Sequence, residues 1–213
     1  MTLSKVTFRL QTHNGIRLIT EKELGAYANG IGLPDVAKDR YSWLFVMDLL
    51  LFQEGNGVDP HMIVHEIQAL EGLGPKHGTK APAQFTRHPL KGLWHKHFFS
   101  AHFLARNIRN ELVGGRFEQI FAEVCDPNKS PVLTEGMIKE LAHRITIGEF
   151  DNRNKDGRLT GEWIVFARHE EKNYYLCLST HNAGDQTIYD RIRDVCFPQF
   201  PFLVENGVNE PNK

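Results

Sequence analysis

Histidines and arginines recur at helical spacing between residues 93 and 112. If this segment forms a helix, His95, His102, Arg106 and Arg109 lie on one face of it. Imidazole accepts and donates protons near neutral pH, and a guanidinium group grips phosphate or carboxylate through paired hydrogen bonds. The pattern therefore predicts a ridge that binds anions and transfers protons. An ordinary solvated helix face has the same composition, so both interpretations stay open.

The ridge belongs to a longer segment that contains no acidic residue. Residues 72–110 carry seven Lys and Arg and five of the 11 histidines, whereas the rest of the chain has 18 basic and 26 acidic residues. The formal net charge of −1 hides this separation, and a local field depends on local charge. We predict one positive surface with these anion-binding residues: Lys76, Lys80, Arg87, Lys91, Lys96, Arg106 and Arg109.

A phosphodiester is the substrate that suits these groups. A ribose 2′-hydroxyl can attack its own phosphate while one histidine takes a proton and a second protonates the leaving oxygen. His95 and His102 would stand roughly 10 Å apart along a helix, which is far for groups that share one phosphate. His181, at the end of a predicted strand, is therefore our candidate for the second proton-transfer group.

A second histidine pair suggests metal chemistry. His61 and His65 are four residues apart on a predicted helix, a spacing that lets both contact one zinc ion. The segment lacks the glutamate that follows the first histidine in metalloprotease helices. A site here would need a third ligand from elsewhere in the chain, and zinc or manganese would be the metal.

Three functions from different classes remain open on this basis. The first is an RNA-directed enzyme that needs no tightly bound metal. The second is a non-catalytic module that binds nucleic acid or another polyanion through the same surface, with Phe85, Phe99 and Phe103 as possible stacking aromatics. The third is the metal-dependent enzyme. No phosphate-binding loop or dinucleotide fingerprint supports an ATPase or a dehydrogenase.

Strand and helix signals define the supporting elements. Two strand-like runs flank Asn14-Gly15 and predict a β-hairpin over residues 5–20, and Thr20 with Glu23 forms a capping-box pattern. A helix is predicted from Pro34 to about residue 54. Further helices are expected over residues 60–72, 93–112, 116–124, 134–143 and 185–195.

The clearest strand signal lies at residues 162–168 and 173–180. Both runs are almost continuously apolar, which is typical of central strands covered on both faces. We therefore predict an α+β fold, in which one small antiparallel sheet from the N-terminal and C-terminal hairpins packs against several helices. The buried strand residues are expected to include Trp163, Val165, Tyr175, Leu176 and Leu178.

Composition places the chain among ordinary globular proteins. One domain over residues 1–204 is expected, with a frayed tail over residues 205–213. Three irregularly spaced cysteines do not form a disulfide framework. No segment reads as a signal peptide or a membrane span, so we expect a cytoplasmic protein that does not contact the membrane.

Overall fold

The computed structural model describes residues 6–12, 15–75, 79–98, 115–126, 134–144, 162–180 and 182–205. Contacts divide the chain into two compact units. The first comprises residues 1–77, 82–98 and 162–213, and the second comprises residues 78–81 and 99–161. The single domain predicted over residues 1–204 stays a prediction.

The described residues contain six strands and eight helices, and the fold is α+β as predicted. The strands are β1 (Thr7–Thr12), β2 (Gly15–Thr20), β3 (Ala83–Gln84), β4 (Trp94–Phe98), β5 (Glu162–His169) and β6 (Lys172–Ser179). The helices are α1 (Glu21–Gly30), α2 (Leu33–Ala37), α3 (Trp43–Asn56), α4 (Pro60–Leu70), α5 (Arg116–Val124), α6 (Glu135–His143), α7 (Asp185–Gln199) and α8 (Phe202–Glu205). None of these helices is long and apolar enough to cross a bilayer.

The N-terminal hairpin and its helix cap are confirmed. β1 pairs antiparallel with β2, and Thr12 faces Gly15 across the turn. The Glu23 carboxylate accepts from the Thr20 backbone N–H at 2.8 Å, and the Glu23 N–H donates to the Thr20 hydroxyl at 3.4 Å. This reciprocal pair satisfies donors that the first turn of α1 would otherwise leave unmet.

The helix predicted from Pro34 to residue 54 is in fact two helices. The chain leaves α2 at Lys38, where φ is 51°, and α3 begins after its N-cap Ser42. Between them the chain runs beside Tyr175 of β6: the Tyr175 N–H donates to the Arg40 carbonyl at 2.8 Å, and the Ser42 N–H donates to the Tyr175 carbonyl at 2.9 Å. Pairing with a strand distant in sequence therefore interrupts a helical pattern that is locally continuous.

The two hairpins lie in separate sheets, which corrects the single sheet that we expected. β1 and β2 form a two-stranded sheet, while the other strands form an antiparallel sheet in the order β3-β4-β5-β6. β5 is an interior strand, as predicted. β6 ends the strand order, so the central position predicted for it is wrong, and its outer edge carries the Tyr41–Tyr175 bridge to the segment before α3.

β5 and β6 contribute many of the buried residues of the four-stranded sheet. Val165, Tyr175, Leu176 and Leu178 are fully buried, as predicted, whereas Trp163 is only half-buried. One core cluster joins β5 and β6 to apolar residues of α7 and α8: Ile188, Tyr189, Ile192, Cys196 and Leu203. The Asp48 carboxylate of α3 accepts from the Leu178 N–H of β6 at 2.9 Å.

The second unit contains α5 and α6 within its described residues, and both have the predicted bounds. Thr134 is the N-cap of α6, and its hydroxyl accepts from the Met137 N–H at 3.2 Å. Arg144 bridges the two helices through Glu123 at 2.7 Å and also contacts Glu140. The sequence therefore predicts the bounds of both helices closely.

Candidate functional site

A loop over residues 85–93 joins β3 to β4 and carries Arg87, one of the predicted anion-binding residues. The Phe85 N–H donates to the Leu93 carbonyl at 2.9 Å, and the Gly92 N–H donates to the Phe85 carbonyl at 3.1 Å. Leu90 and Leu93 are fully buried and anchor the loop to the core. Arg87 lies on the exposed part of this loop, whose backbone these contacts fix in place.

His95 lies on a strand, so the helix predicted over residues 93–112 is wrong for Trp94–Phe98. His95 pairs with Ala83 on one side and with Val165 on the other, which makes β4 an interior strand. Trp94 and Phe98, the apolar residues of this segment, are four residues apart, and that spacing places them on one face of either a helix or a strand. Ladder hydrogen bonds from β3 and β5 decide the conformation in favour of the strand.

A cavity of about 280 Å³ opens beside His95. Its lining residues come from the β3–β4 hairpin, from β5 and from the first turn of α7, all within the first unit: Gln84, Phe85, Thr86, Arg87, His95, Trp163 and Asp185. The volume lies just below the range of roughly 300–1,000 Å³ that encloses drug-sized ligands. The cavity is therefore of a size for one small ligand or for one group of a larger ligand.

Three rings form the apolar part of this cavity. The centroids of Phe85 and His95 are 4.6 Å apart, those of His95 and Trp163 5.2 Å, and those of Phe85 and Trp163 5.5 Å. The planes of Phe85 and Trp163 meet at 79°, so the two rings form a corner. A planar ligand that stacks on one ring of this corner would turn its own edge towards the other ring.

Two charged side chains complete the lining. Arg87 supplies a guanidinium group and Asp185 supplies a carboxylate, and both residues are exposed at the mouth, while His95 is half-buried. Guanidinium binds and stabilises oxyanions. Imidazole and carboxylate are the side chains that most often transfer protons in enzymes. The cavity thus combines an anion-binding group with two proton-transfer groups.

An internal ion pair holds α7, which begins with Asp185, against the sheet. Arg191 of α7 donates a short hydrogen bond to the buried Asp48 carboxylate and also reaches the Leu178 carbonyl at 3.5 Å. Burial raises the pKa of Asp48 to about 6, although the charge of Arg191 and the Leu178 N–H oppose that rise. The pair links α3, β6 and α7, and thereby fixes the helix that carries Asp185.

Lys96 is not part of an exposed basic surface, which corrects its predicted role in anion binding. Its ammonium group lies 3.3 Å from the Glu66 carboxylate, and the two side chains are 7 % and 5 % exposed. Burial lowers the pKa of Lys96, while the charge of Glu66 acts in the opposite direction. The alternation of β4 turns Lys96 to the face opposite His95, towards α4.

The other described basic candidates are Lys80, Arg87 and Lys91. All three are exposed, and of these Arg87 lines the cavity. Lys80 belongs to the second unit. The predictions for Lys76, His102, Arg106, Arg109 and His181 lie outside the described residues.

His61 and His65 both lie on the exposed side of α4, as their spacing predicts. Within the described part of the chain, no group of three His, Cys, Asp or Glu side chains is arranged to hold a metal ion. His97 is buried, and the centroid of its ring is 6.4 Å from that of Trp163.

Sequence reasoning did not assign a functional role to Asp185, Gln84, Thr86 or Trp163. Asp185 was expected only to begin a helix, and Trp163 only to fill the core. Nothing in their local sequence marks them, because they join the cavity through the β4–β5 pairing and the placement of α7. Phe85 was named among the possible stacking aromatics, and the structure places it in the cavity wall.

Comparison with protein-family models, curated proteins and solved structures finds no match to this chain.

Proposed function

We propose that the protein is an RNA-directed enzyme that cleaves phosphodiester bonds at the cavity beside His95. One observation carries this proposal: Arg87, His95 and Asp185 line the same cavity. Cleavage by an internal 2′-hydroxyl needs two proton-transfer groups and a charge stabiliser that converge on one phosphate. These three residues supply that set without a metal ion.

The reaction divides among the three side chains. The Asp185 carboxylate takes the proton of the ribose 2′-hydroxyl, whose oxygen forms a bond to the adjacent phosphorus. Protonated His95 donates its proton to the 5′-oxygen as the P–O5′ bond breaks. Arg87 stabilises the charge on the phosphorane oxygens. The products are a 2′,3′-cyclic phosphate and a free 5′-hydroxyl. His102 and His181 remain alternative proton-transfer groups in this proposal.

Cleavage assays in excess EDTA test this assignment. We expect the wild type to cleave RNA, and His95→Asn and Asp185→Asn each to reduce the rate by roughly 10²–10⁴-fold, the usual contribution of a general acid or base. His88→Asn is the matched control, because His88 is an exposed histidine of the loop between β3 and β4 and does not line the cavity. Its rate should equal that of the wild type. Unchanged rates in both His95→Asn and Asp185→Asn would overturn the proposal.

The metal-dependent alternative predicts a different result in the same assay. If the site is the His61–His65 pair, activity should be lost in EDTA and restored by zinc or manganese. It should also be reduced in His61→Asn. Activity that survives EDTA and is insensitive to His61→Asn supports the assignment of catalysis to His95 and Asp185.

A non-catalytic RNA-binding module is the second candidate, and the aromatic corner of Phe85 and Trp163 favours it. Aromatic side chains beside a cation are the usual platform for single-stranded nucleic acid. RNA binding that depends on Arg87, together with no cleavage in any buffer, would select the module over the enzyme.

A further inference from the structure

We infer that the cavity accepts one unpaired, unstacked base of single-stranded RNA, with Arg87 holding the adjoining phosphate. This inference rests on the proposed function, since the proposed chemistry identifies the ligand as RNA. It adds the class of strand that is recognised and names Phe85 and Trp163 as the residues that recognise it.

The geometry of the rings carries the first step. Phe85 and Trp163 stand nearly perpendicular, at 79°, with their centroids 5.5 Å apart. A base that stacks on one of these rings meets the other with its edge. Such a corner replaces the neighbouring base on one face of the bound base and contacts its perimeter, which favours a base that has left its stack.

The size of the cavity carries the second step. A volume of about 280 Å³ accommodates one base and part of its backbone, but not a base pair with its neighbours. A base in a duplex would first have to leave its stack and its partner, which costs free energy. A base in a single strand avoids most of that cost.

The polar rim carries the third step. The Gln84 side-chain amide donates to the Gly92 carbonyl at 3.0 Å, which orients the amide group. Its carbonyl oxygen is an acceptor, and the neighbouring Thr86 hydroxyl can both donate and accept. Single-stranded RNA is recognised in this way, by stacking together with hydrogen bonds to exposed base edges. Arg87, one residue further along the loop, is the phosphate contact.

Binding of a non-cleavable RNA tests this inference separately from catalysis. The probe is a 2′-O-methyl RNA strand, which lacks the attacking hydroxyl, compared with the duplex that it forms with its complement. At one fixed salt concentration we expect the single strand to bind roughly tenfold more tightly, the effect of one base–aromatic stack. Fluorescence anisotropy measures both dissociation constants.

Two variants connect that preference to the aromatic corner. Phe85→Leu keeps an apolar side chain but removes the flat ring, and should weaken binding of the single strand roughly tenfold while the duplex is unaffected. Phe121→Leu is the matched control, because Phe121 is exposed on α5 in the other unit. Thermal melting shows whether Phe85→Leu still folds.

Tryptophan fluorescence gives a second readout. Base stacking on Trp163 should quench indole emission, so the quench should disappear in Trp163→Phe and persist in Trp94→Phe. Trp94 stacks instead on Phe166 and does not line the cavity. A folded Phe85→Leu variant that binds like the wild type, or equal affinity for strand and duplex, would overturn the inference.

Failure of the inference and failure of the proposed function give different results. If RNA is cleaved through His95 but single and double strands are cut equally, catalysis stands and the single-strand inference is wrong. If the strand binds through Phe85 but no RNA is cut, the inference stands and catalysis is wrong. Absence of binding to either probe contradicts both.

Discussion

Lys96 and Glu66 form an ion pair between β4 and α4 with the Nζ and Oε2 atoms 3.3 Å apart and both side chains almost fully buried. Removing one member of a buried pair leaves the other charge without its compensating partner, which costs about 3–5 kcal/mol. We therefore expect Lys96→Met to destabilise the protein by about that amount, as measured by urea unfolding.

A double-mutant cycle separates this effect from packing. Combining Lys96→Met with Glu66→Gln should give a variant that is less destabilised than Lys96→Met alone, with a coupling free energy of at least about 1 kcal/mol. Additive effects of the two substitutions would show that the pair does not couple α4 to β4.

Glu71 gives a prediction for acid stability. Burial raises the pKa of its carboxyl, but hydrogen bonds from Arg40, Tyr175 and Asn173 together lower it below the ordinary value of 4.5. The carboxylate is therefore favoured in the folded state, so its stabilisation is present above pH 4.5 and is lost as the pH falls through the folded-state pKa. We expect Glu71→Gln to lower the free energy of unfolding by about 1–3 kcal/mol at pH 7.

Acid titration of the unfolding free energy checks the sign. The difference in the free energy of unfolding between the wild type and Glu71→Gln should become smaller as the pH falls below 4.5. Glu54→Gln is the control, because Glu54 pairs with Arg17 at an exposed site and should cost less than about 1 kcal/mol. If this difference in unfolding free energy grew towards low pH, the Glu71 carboxylate would not stabilise the folded state as we expect.

Trp163 combines a structural contribution with its place in the cavity. It is half-buried and contacts Phe85, His95 and His97, so Trp163→Ala should cost about 3 kcal/mol, the lower end of the range for this substitution. Phe121→Ala, at an exposed position, should change stability by less than about 0.5 kcal/mol. Denaturant unfolding measures both, and a Trp163→Ala variant as stable as its parent would contradict this role.

Salt dependence tests the charge contribution of Arg87. Affinity for single-stranded RNA should fall as salt rises, because each cation that neutralises a phosphate releases counterions. Arg87→Ala should reduce the slope of log K against log salt by about 0.7, the value for one contact on a single strand. Lys22→Ala, at an exposed position on α1, should leave the slope unchanged. A slope that Arg87→Ala does not alter would exclude this phosphate contact.

Local sequence determined those elements whose signals are short-range. The β1–β2 hairpin, the Thr20–Glu23 capping box and the bounds of α5 and α6 all follow from backbone preferences within a few residues. The β5–β6 hairpin was equally clear, because its apolar runs are typical of strands covered on both faces. The α+β class follows from these elements together.

Only the tertiary structure decided the conformation of β4, the break before Ser42 and the composition of the cavity. Residues 94–98 satisfy both a helical and a strand pattern, and pairing with β3 and β5 selects the strand. That choice places Lys96 and His95 on opposite faces of β4, so that Lys96 pairs with Glu66 while His95 lines the cavity together with Arg87 and Asp185. The sequence contains each of these side chains, but hydrogen bonds and packing between distant segments determine which of them meet.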